Sequence, residues 1–284
     1  MVSDHVQPHC SLALGGLHFH NTPMAGVREI IRQEIPLDRL IPPIDGSINA
    51  DQLIGAGLVK EIHAPYVGLE HLGMAPRFRA AVEYGDLKVR ETEEAGFVLG
   101  FQAAAAGLPF VVLPAGFFPR DVDRPTVPGV NPTDYREIVD PFTGRTHHAA
   151  RAIRPDVGIV HCQAVDRRGN GAFLGGTFLD IEVAKASAVC IVVAERVVDE
   201  LPSDSAGYLP SFVIDAYAIV EGGAHPGSSH GLYRHDEDHL RRYIKAAATA
   251  EGFAAYRAEV IGESESHYQG AAGVPERCRE LRTK

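Results

Sequence analysis

The sequence predicts an α/β fold: a mostly parallel open sheet with helices on both faces, in a single unit spanning residues 1–284. Three observations predict it. The runs Val157-Gly-Ile-Val-His-Cys162 and Ala188-Val-Cys-Ile-Val-Val193 are apolar along their length, as suits strands covered on both faces. Strand-like and helix-like segments alternate along most of the chain. The start of the chain reads strand, glycine turn, helix, the unit of a parallel sheet.

In order, residues 11–16, Ser-Leu-Ala-Leu-Gly-Gly, form a short buried strand ending in a glycine turn. The loop Leu17-His-Phe-His-Asn-Thr22 follows, and Pro23 opens a helix over residues 23–33, with Asn21 or Thr22 as its cap. Residues 60–67 are strand-like and 75–83 helical. Residues 87–92 are a strand and 94–106 a helix with apolar faces. Leu108-Pro109 breaks that helix into the strand at 110–113. Residues 117–146, rich in Pro, Asp and Arg, read as an irregular connection of the kind that binds ligands or forms a dimer arm. Residues 213–220 are the last strand. Leu240, Tyr243 and Ile244 stand at helical spacing in a helical tail from 236 to 260. The core extends from about residue 11 to about 250, and the residues after Gly262 are expected at the surface.

The chain has enough length and apolar content (284 residues, 45% hydrophobic) to build a core without a disulfide or metal staple. A net charge of -10 argues against a broad nucleic-acid surface, which needs clustered Lys and Arg. The four cysteines contain no CxxC pair, and Cys162 and Cys190 lie in strand-like runs as small core residues. A reducing cytoplasm fits this usage. The first residues lack a basic start and a long apolar stretch, so no secretion signal is expected. No apolar run approaches bilayer length, so no membrane association is expected.

Four constellations carry candidate chemistry. Gly15-Gly16 before the helix lets backbone approach a ligand, and the helix N-terminus presents N–H groups to an anion; a plain tight turn explains the glycines equally well. The spacing is neither GxGxxG nor a phosphate loop ending in Gly-Lys-Ser/Thr. The acids Glu91, Glu93 and Glu94 stand at a strand-to-helix junction, where an open α/β sheet places its ligands. On composition alone, helix capping accounts for them. Of the 14 histidines, His20 beside the glycine turn is the best candidate for substrate contact; no HExxH occurs, and no metal site is expected. His230, His235 and His239 are expected to be mostly solvated. Val220-Glu-Gly-Gly-Ala-His-Pro226, continuing to Ser229, reads as a turn feeding the last helix, with Glu221 as a possible functional acid. No G-x-S-x-G is present, and His161 and Cys162 point to opposite faces of one strand, which disfavours a serine or cysteine nucleophile.

Several of these pieces, in their order and spacing, resemble a known family. They are Gly15-Gly16 with Pro23-Met24, Leu53-Ile-Gly-Ala-Gly57, Tyr66-Val-Gly-Leu-Glu70 and the Glu94 segment ending in Ala-Ala-Ala-Gly-Leu-Pro-Phe110. Asp140-Pro-Phe-Thr-Gly144, Arg154-Pro-Asp-Val157, Asp166-Arg-Arg-Gly-Asn170 and Val220-Glu-Gly-Gly-Ala-His-Pro226 complete the set. The chain resembles the A (alpha) subunit of family I CoA-transferases, of the glutaconate and 3-oxoacid type, from about residue 11 to about residue 250.

The resemblance implies a NagB/RpiA/CoA-transferase-like fold, a B (beta) subunit partner of similar fold, and an active site between the two in a heterodimer or heterotetramer. It implies a coenzyme A thioester as substrate and no permanently bound cofactor. In the transferases a B-subunit glutamate attacks the acyl-CoA, giving an anhydride and then a glutamyl-CoA thioester. No Ser-Glu-Asn-Gly type nucleophile motif occurs here, as expected of the alpha-type partner. A branch similar to steroid ring-cleaving hydrolases uses an alpha-subunit glutamate as general base, and the aligned segment places it at Glu94. A further branch resembles decarboxylases of glutaconyl-type thioesters. Glu94 is therefore the candidate catalytic residue. Gly15, Gly16, His20 and Asn21 are candidates for the first-loop wall, and Gly116 with Phe117 for the wall after the next strand.

Two departures stand out. The Arg that family members carry after that strand is replaced by Leu113-Pro114-Ala115-Gly116, leaving Arg120 or Arg124 to substitute for it. The first-loop Arg-Lys-Pro is replaced by Asn21-Thr22-Pro23. Both lower the positive charge expected near the pocket, which counts against a glutaconate-like dicarboxylate. A ligand sensor or a scaffold subunit is the reading from outside enzymology.

Overall fold

The structure, a computed structural model, describes residues 2–114 and 134–282. Its centre is a seven-stranded sheet. In chain order the strands are β1 (Cys10–Leu14), β2 (Leu37–Ile41), β3 (Glu61–Ala64), β4 (Lys88–Glu91), β5 (Val157–Cys162), β6 (Val189–Ala194) and β7 (Ala216–Ile219). They lie side by side in the order β7-β6-β5-β1-β2-β3-β4. Every neighbouring pair is parallel. A parallel sheet needs cover on both faces, and the sequence provides for it by alternation. Leu12, Leu14, Val157, Ile159, Ile191 and Val193 enter one buried cluster. Ala13, Val160, Cys162, Cys190, Val192 and Ala194 enter the other.

The helices Met24–Arg32 and Ile48–Gly55 contribute Val27, Ile30, Ile31, Leu53 and Ile54 to the first cluster. Close approach there depends on Gly26, whose added Cβ would stand 3.2 Å from Ile159 Cγ2. The helix Glu94–Ala105 covers the second face with Phe97 and Phe101, which are 0% and 1% exposed. It lies against the helix Asp180–Ala186.

Several expectations needed correction. Part of the stretch expected to be irregular is a sheet: Tyr135–Val139 and Thr146–Arg151 pair antiparallel, and Phe110–Val112 joins them. The turn between the first two strands is held by Asp140, whose Oδ1 accepts from Phe142 N at 2.9 Å. The residues after Gly262 form two further helices, Glu265–Ala271 and Val274–Glu280, with Tyr268 fully buried. Each helix has seven residues, too few for an apolar period to show. They are anchored by Arg28, which reaches Glu265 and His225 O from the Met24–Arg32 helix. That helix takes no side-chain cap. Asn21 is engaged elsewhere, and Thr22 Oγ1 has no hydrogen-bond partner among the described residues. His239 is 6% exposed, and His230 and His235 are half-buried rather than solvated.

Candidate active site

The chain leaves β1 in one direction through β2, β3 and β4, and fills the other side with β5, β6 and β7. The sheet therefore has its topological switch between β1 and β5, where open α/β folds form a crevice beyond the carboxyl ends of the strands. The loop 15–21 leaves β1 at that point, Gln163 follows β5, Glu195 follows β6, and residues 220–230 follow β7.

The first loop is a closed turn. Gly16 has φ 91, a region that favours glycine. A Cβ at Gly15 would stand 2.2 Å from Asp180 Oδ1, and one at Gly16 2.5 Å from His20 O. Gly15 N donates to Ile159 O at 2.8 Å and Gly16 N to Asp180 Oδ1 at 2.9 Å. Leu17, His18, His20 and Asn21 also have their N–H groups engaged, and Ala25 N at the helix start donates to Gly223 O at 2.9 Å. The anion-cradle reading of these glycines thus loses its donors. The tight-turn reading holds.

Asn21 is fully buried in a left-handed conformation, φ 51, which Asn tolerates. Its Oδ1 accepts from Gln163 Nε2 at 2.9 Å and from His230 N at 3.1 Å, and its Nδ2 donates to Gly176 O at 3.3 Å. One amide thereby ties the ends of β1 and β5 to two other loops. Gln163 extends the network, donating to Ser229 Oγ at 3.2 Å and accepting from Leu174 N at 2.9 Å.

Of these four candidates, His20 reaches outward. It is half-buried, its Nδ1 lies 2.6 Å from Ser228 Oγ, and its ring stands 6.5 Å from Phe178 and 5.4 Å from His230. Burial, and then the neighbouring His230, His235 and His18, push its pKa below the ordinary value, so it is neutral at pH 7. His18, Asn21 and Phe178 are three of the six described non-glycine residues with positive φ. Half of the described non-glycine residues in the left-handed region thus stand around this crevice.

Asp180 supports the loop from below. It is fully buried, and Oδ2 has no hydrogen-bond partner among the described residues. Burial raises its pKa well above 3.8, against the Gly16 N–H bond that lowers it. Because the folded pKa is the higher one, the unfolded chain releases this proton first. Stability from Asp180 is complete below pH 3.8 and declines as pH rises toward the folded value. Asp180→Asn, isosteric with the neutral acid, is expected to melt no lower than the parent at pH 7, with the difference growing in its favour from pH 4 upward. A marked drop in melting temperature at pH 7 would show that the carboxylate is charged.

Beyond Ser229 the network continues into a second buried group. His161 Nε2 stands 3.3 Å from Ser229 Oγ and 3.1 Å from Glu195 Oε1, while Nδ1 has no hydrogen-bond partner among the described residues. A hydrolytic triad uses both ring nitrogens, one toward the serine and one toward the acid. Here a single nitrogen faces both, so these three residues form a brace. Burial raises the Glu195 pKa, but hydrogen bonds from His161, Tyr233 and Gly222 N outweigh it and hold the carboxylate below its ordinary range.

Glu94 stands apart, beyond the carboxyl end of edge strand β4. At a strand spacing of about 4.8 Å it is roughly 14 Å across the sheet from β1. The cap expected of this acid cluster belongs to its neighbour: Glu93 accepts from Ala95 N and Gly96 N, each at 3.0 Å. Tyr135 pins the turn, its hydroxyl 2.7 Å from Thr92 Oγ1 and accepting from Glu93 N at 3.2 Å. Gly96 makes room for that hydroxyl, since a Cβ there would be 2.3 Å away. Glu94 itself is exposed, and its side chain has no hydrogen bond or ion pair among the described residues. The turn fixes the backbone at Glu94, and its exposed carboxylate is left available.

The structure thus gathers Gly15, Gly16, His20 and Asn21 at the switch point and sets Glu94 on the flank of the same edge. Gly116 and Phe117, with Arg120 and Arg124, lie outside the described residues. Gln163, Phe178, Asp180 and Ser229 were missed. Gly227-Ser-Ser229 stood in a turn already singled out, but nothing in the sequence joins Asp180 to Gly16. Among the described residues no group of three or more His, Cys, Asp or Glu is arranged to hold a metal ion, and no helix is long and apolar enough to cross a membrane.

A parallel sheet wound in both directions from β1, with a crevice at its switch point, is a frame that many α/β proteins share, and the sequence narrows it to one family. The chain belongs to the coenzyme A transferase family, which it matches over residues 1–216. It is similar to the A component of 3-oxoadipate CoA-transferase from Pseudomonas knackmussii, 34% identical over 265 residues covering 90% of each chain. Its fold matches the crystal structure of glutaconate coenzyme A-transferase from Acidaminococcus fermentans with a TM-score of 0.88, 28% identity, and coverage of 100% of this chain and 93% of that one. The crystal structure of the decarboxylase AibA/AibB matches with a TM-score of 0.75, 31% identity, and coverage of 88% and 93%.

Proposed function

We propose that this chain is the A half of a heteromeric enzyme that transfers coenzyme A between carboxylic acids, with the attacking glutamate on a B partner and Glu94 orienting the substrate. The observation that carries the reading is Glu94: an unpaired carboxylate on the edge where the fold binds ligands, relieved of capping by Glu93. The names of the relatives, A components of two kinds of CoA-transferase, support it.

The exchange needs no net input, because one thioester is consumed for each one formed. The partner carboxylate attacks the acyl carbonyl and expels the CoA thiolate, giving a mixed anhydride. The thiolate then attacks the glutamyl carbonyl, releasing the first acid and leaving an enzyme thioester. The acceptor acid reverses both steps. In this chain the first loop acts as a wall. Gly15 and Gly16 set its path, Asn21 positions it from within, and His20 offers a neutral ring to the substrate. Oxyanion donors come from elsewhere, since the N–H groups of Gly15 and Gly16 are engaged. The roughly 14 Å between this wall and Glu94 suits an extended thioester better than a small metabolite. The neutral His20 in place of a cationic loop favours an acyl group without a second carboxylate.

Reconstitution tests the assignment. The chain alone is expected to be inactive toward any acyl-CoA, and activity is expected to appear and saturate on titration with the B partner. Full turnover by the isolated chain would contradict it.

A further inference from the structure

A cavity of about 420 Å³ lies against the sheet, away from the switch point. Ser11, Arg39, His63 and Arg90 reach it from β1, β2, β3 and β4, and Gly107 and Pro109 close it beyond the far end of the Glu94–Ala105 helix. Twelve helical residues put about 18 Å between Glu94 and that end. The proposed reaction does not use this cavity.

Its wall carries four guanidinium groups in a chain of net charge -10. Two are paired. Arg90 makes a bidentate contact with Asp134, at 2.6 and 2.8 Å, and Arg39 Nε lies 2.6 Å from Glu61 Oε1. Asp134 itself lines the cavity, while Asp156 accepts from Ser11 N and Oγ at its margin. The other two guanidiniums meet no carboxylate among the described residues. Arg154 Nη2 donates only to Leu108 O, at 2.8 Å, and the Arg151 side chain has no hydrogen bond or ion pair among the described residues. Against them stands His63, 4% exposed, whose Nε2 makes no hydrogen bond among the described residues and lies 3.7 Å from Asp134 Oδ2. A buried polar nitrogen without a partner carries a desolvation cost that a ligand relieves. Burial pushes its pKa down to about 4, so the ring is neutral and can donate one N–H without adding charge.

Two guanidinium groups on the wall of one cavity, without a carboxylate partner among the described residues, match the oxygens of a tetrahedral dianion. We propose that this cavity is a second ligand site, taking a phosphate or phosphomonoester dianion between Arg151 and Arg154 with His63 beneath it. The volume exceeds that of phosphate alone and leaves room for an attached group. The site is independent of the transfer reading, and it persists if the reaction is a different one.

Calorimetric titration of the full chain with inorganic phosphate, at ionic strength fixed with chloride, tests it. One saturable site is expected, and the Arg151→Ala/Arg154→Ala double variant is expected to bind at least about tenfold more weakly, the loss of one charge-assisted contact or more. Both arginines are exposed, so the variant keeps its fold, which an unchanged melting curve checks. Adenosine 3′,5′-bisphosphate is titrated next: tighter binding than phosphate identifies a phosphomonoester, equal or weaker binding the free ion. No saturable binding of either, or equal affinity in the double variant, would overturn the proposal.

Discussion

Glu94→Gln is expected to lower the turnover of the reconstituted enzyme by about a hundredfold, the loss typical of removing a group that positions or exchanges protons with the reacting atoms. Its melting temperature is expected to fall by no more than about 2 °C, the small loss of a charge at a helix N-terminus. Both parts follow from the same geometry. The side chain is exposed and makes no described bond, so removing its charge costs folding only its interaction with the helix N-terminus, about 0.5 kcal/mol. Glu93 provides the contrast. It caps the helix with both oxygens, so Glu93→Ala is expected to cost about 1 kcal/mol of stability. Full activity in Glu94→Gln would remove Glu94 from the mechanism. Equal loss of activity and stability would make it structural.

Arg28→Met is expected to destabilise the chain by about 3–5 kcal/mol, measured by urea denaturation. Arg28 is fully buried on the Met24–Arg32 helix. It donates to Glu265 Oε2 at 3.0 Å and to His225 O at 2.7 Å, and its guanidinium lies 3.6 Å over the Tyr268 ring. A second bond runs from Nη2 to Glu265 Oε1. Burial raises the Glu265 pKa, and Arg28 together with Arg32 more than offsets it and holds the carboxylate below its ordinary range. Methionine fills the space but leaves Glu265 with Arg32 as its remaining cation, 3.1 Å away. The same contacts fasten the last helices and the 225–229 turn, whose Ser228 meets His20. Loss of Arg28 therefore reaches the first loop. An unchanged denaturation midpoint would contradict this account.

The sheet was legible where strands are apolar on both faces. Val157–Cys162 and Val189–Ala194 are central, and their runs say so. Leu37–Ile41 is central too but went unrecognised, because Asp38 and Arg39 interrupt its apolar run and their charges find partners outside the core: Asp38 near His9 and Lys60, Arg39 at Glu61. The first loop was legible through its glycines, though its role was not. Whether an N–H is free or engaged depends on Ile159, Asp180 and Ser228, all more than 140 positions away. The acid cluster was legible as a junction, but which acid caps the helix follows from the turn that Tyr135 pins, and Tyr135 lies on a strand placed in an irregular stretch. The family resemblance selected Glu94, and the geometry adds that its carboxylate is available.

Thioester exchange in the reconstituted enzyme tests the central claim most directly. Acyl-CoA is supplied with and without a second carboxylic acid, and the CoA products are followed by mass. The account predicts a new thioester of the second acid, formed in step with release of the first acid, and no free CoA when the second acid is withheld. Free CoA or carbon dioxide released without the acceptor would contradict it.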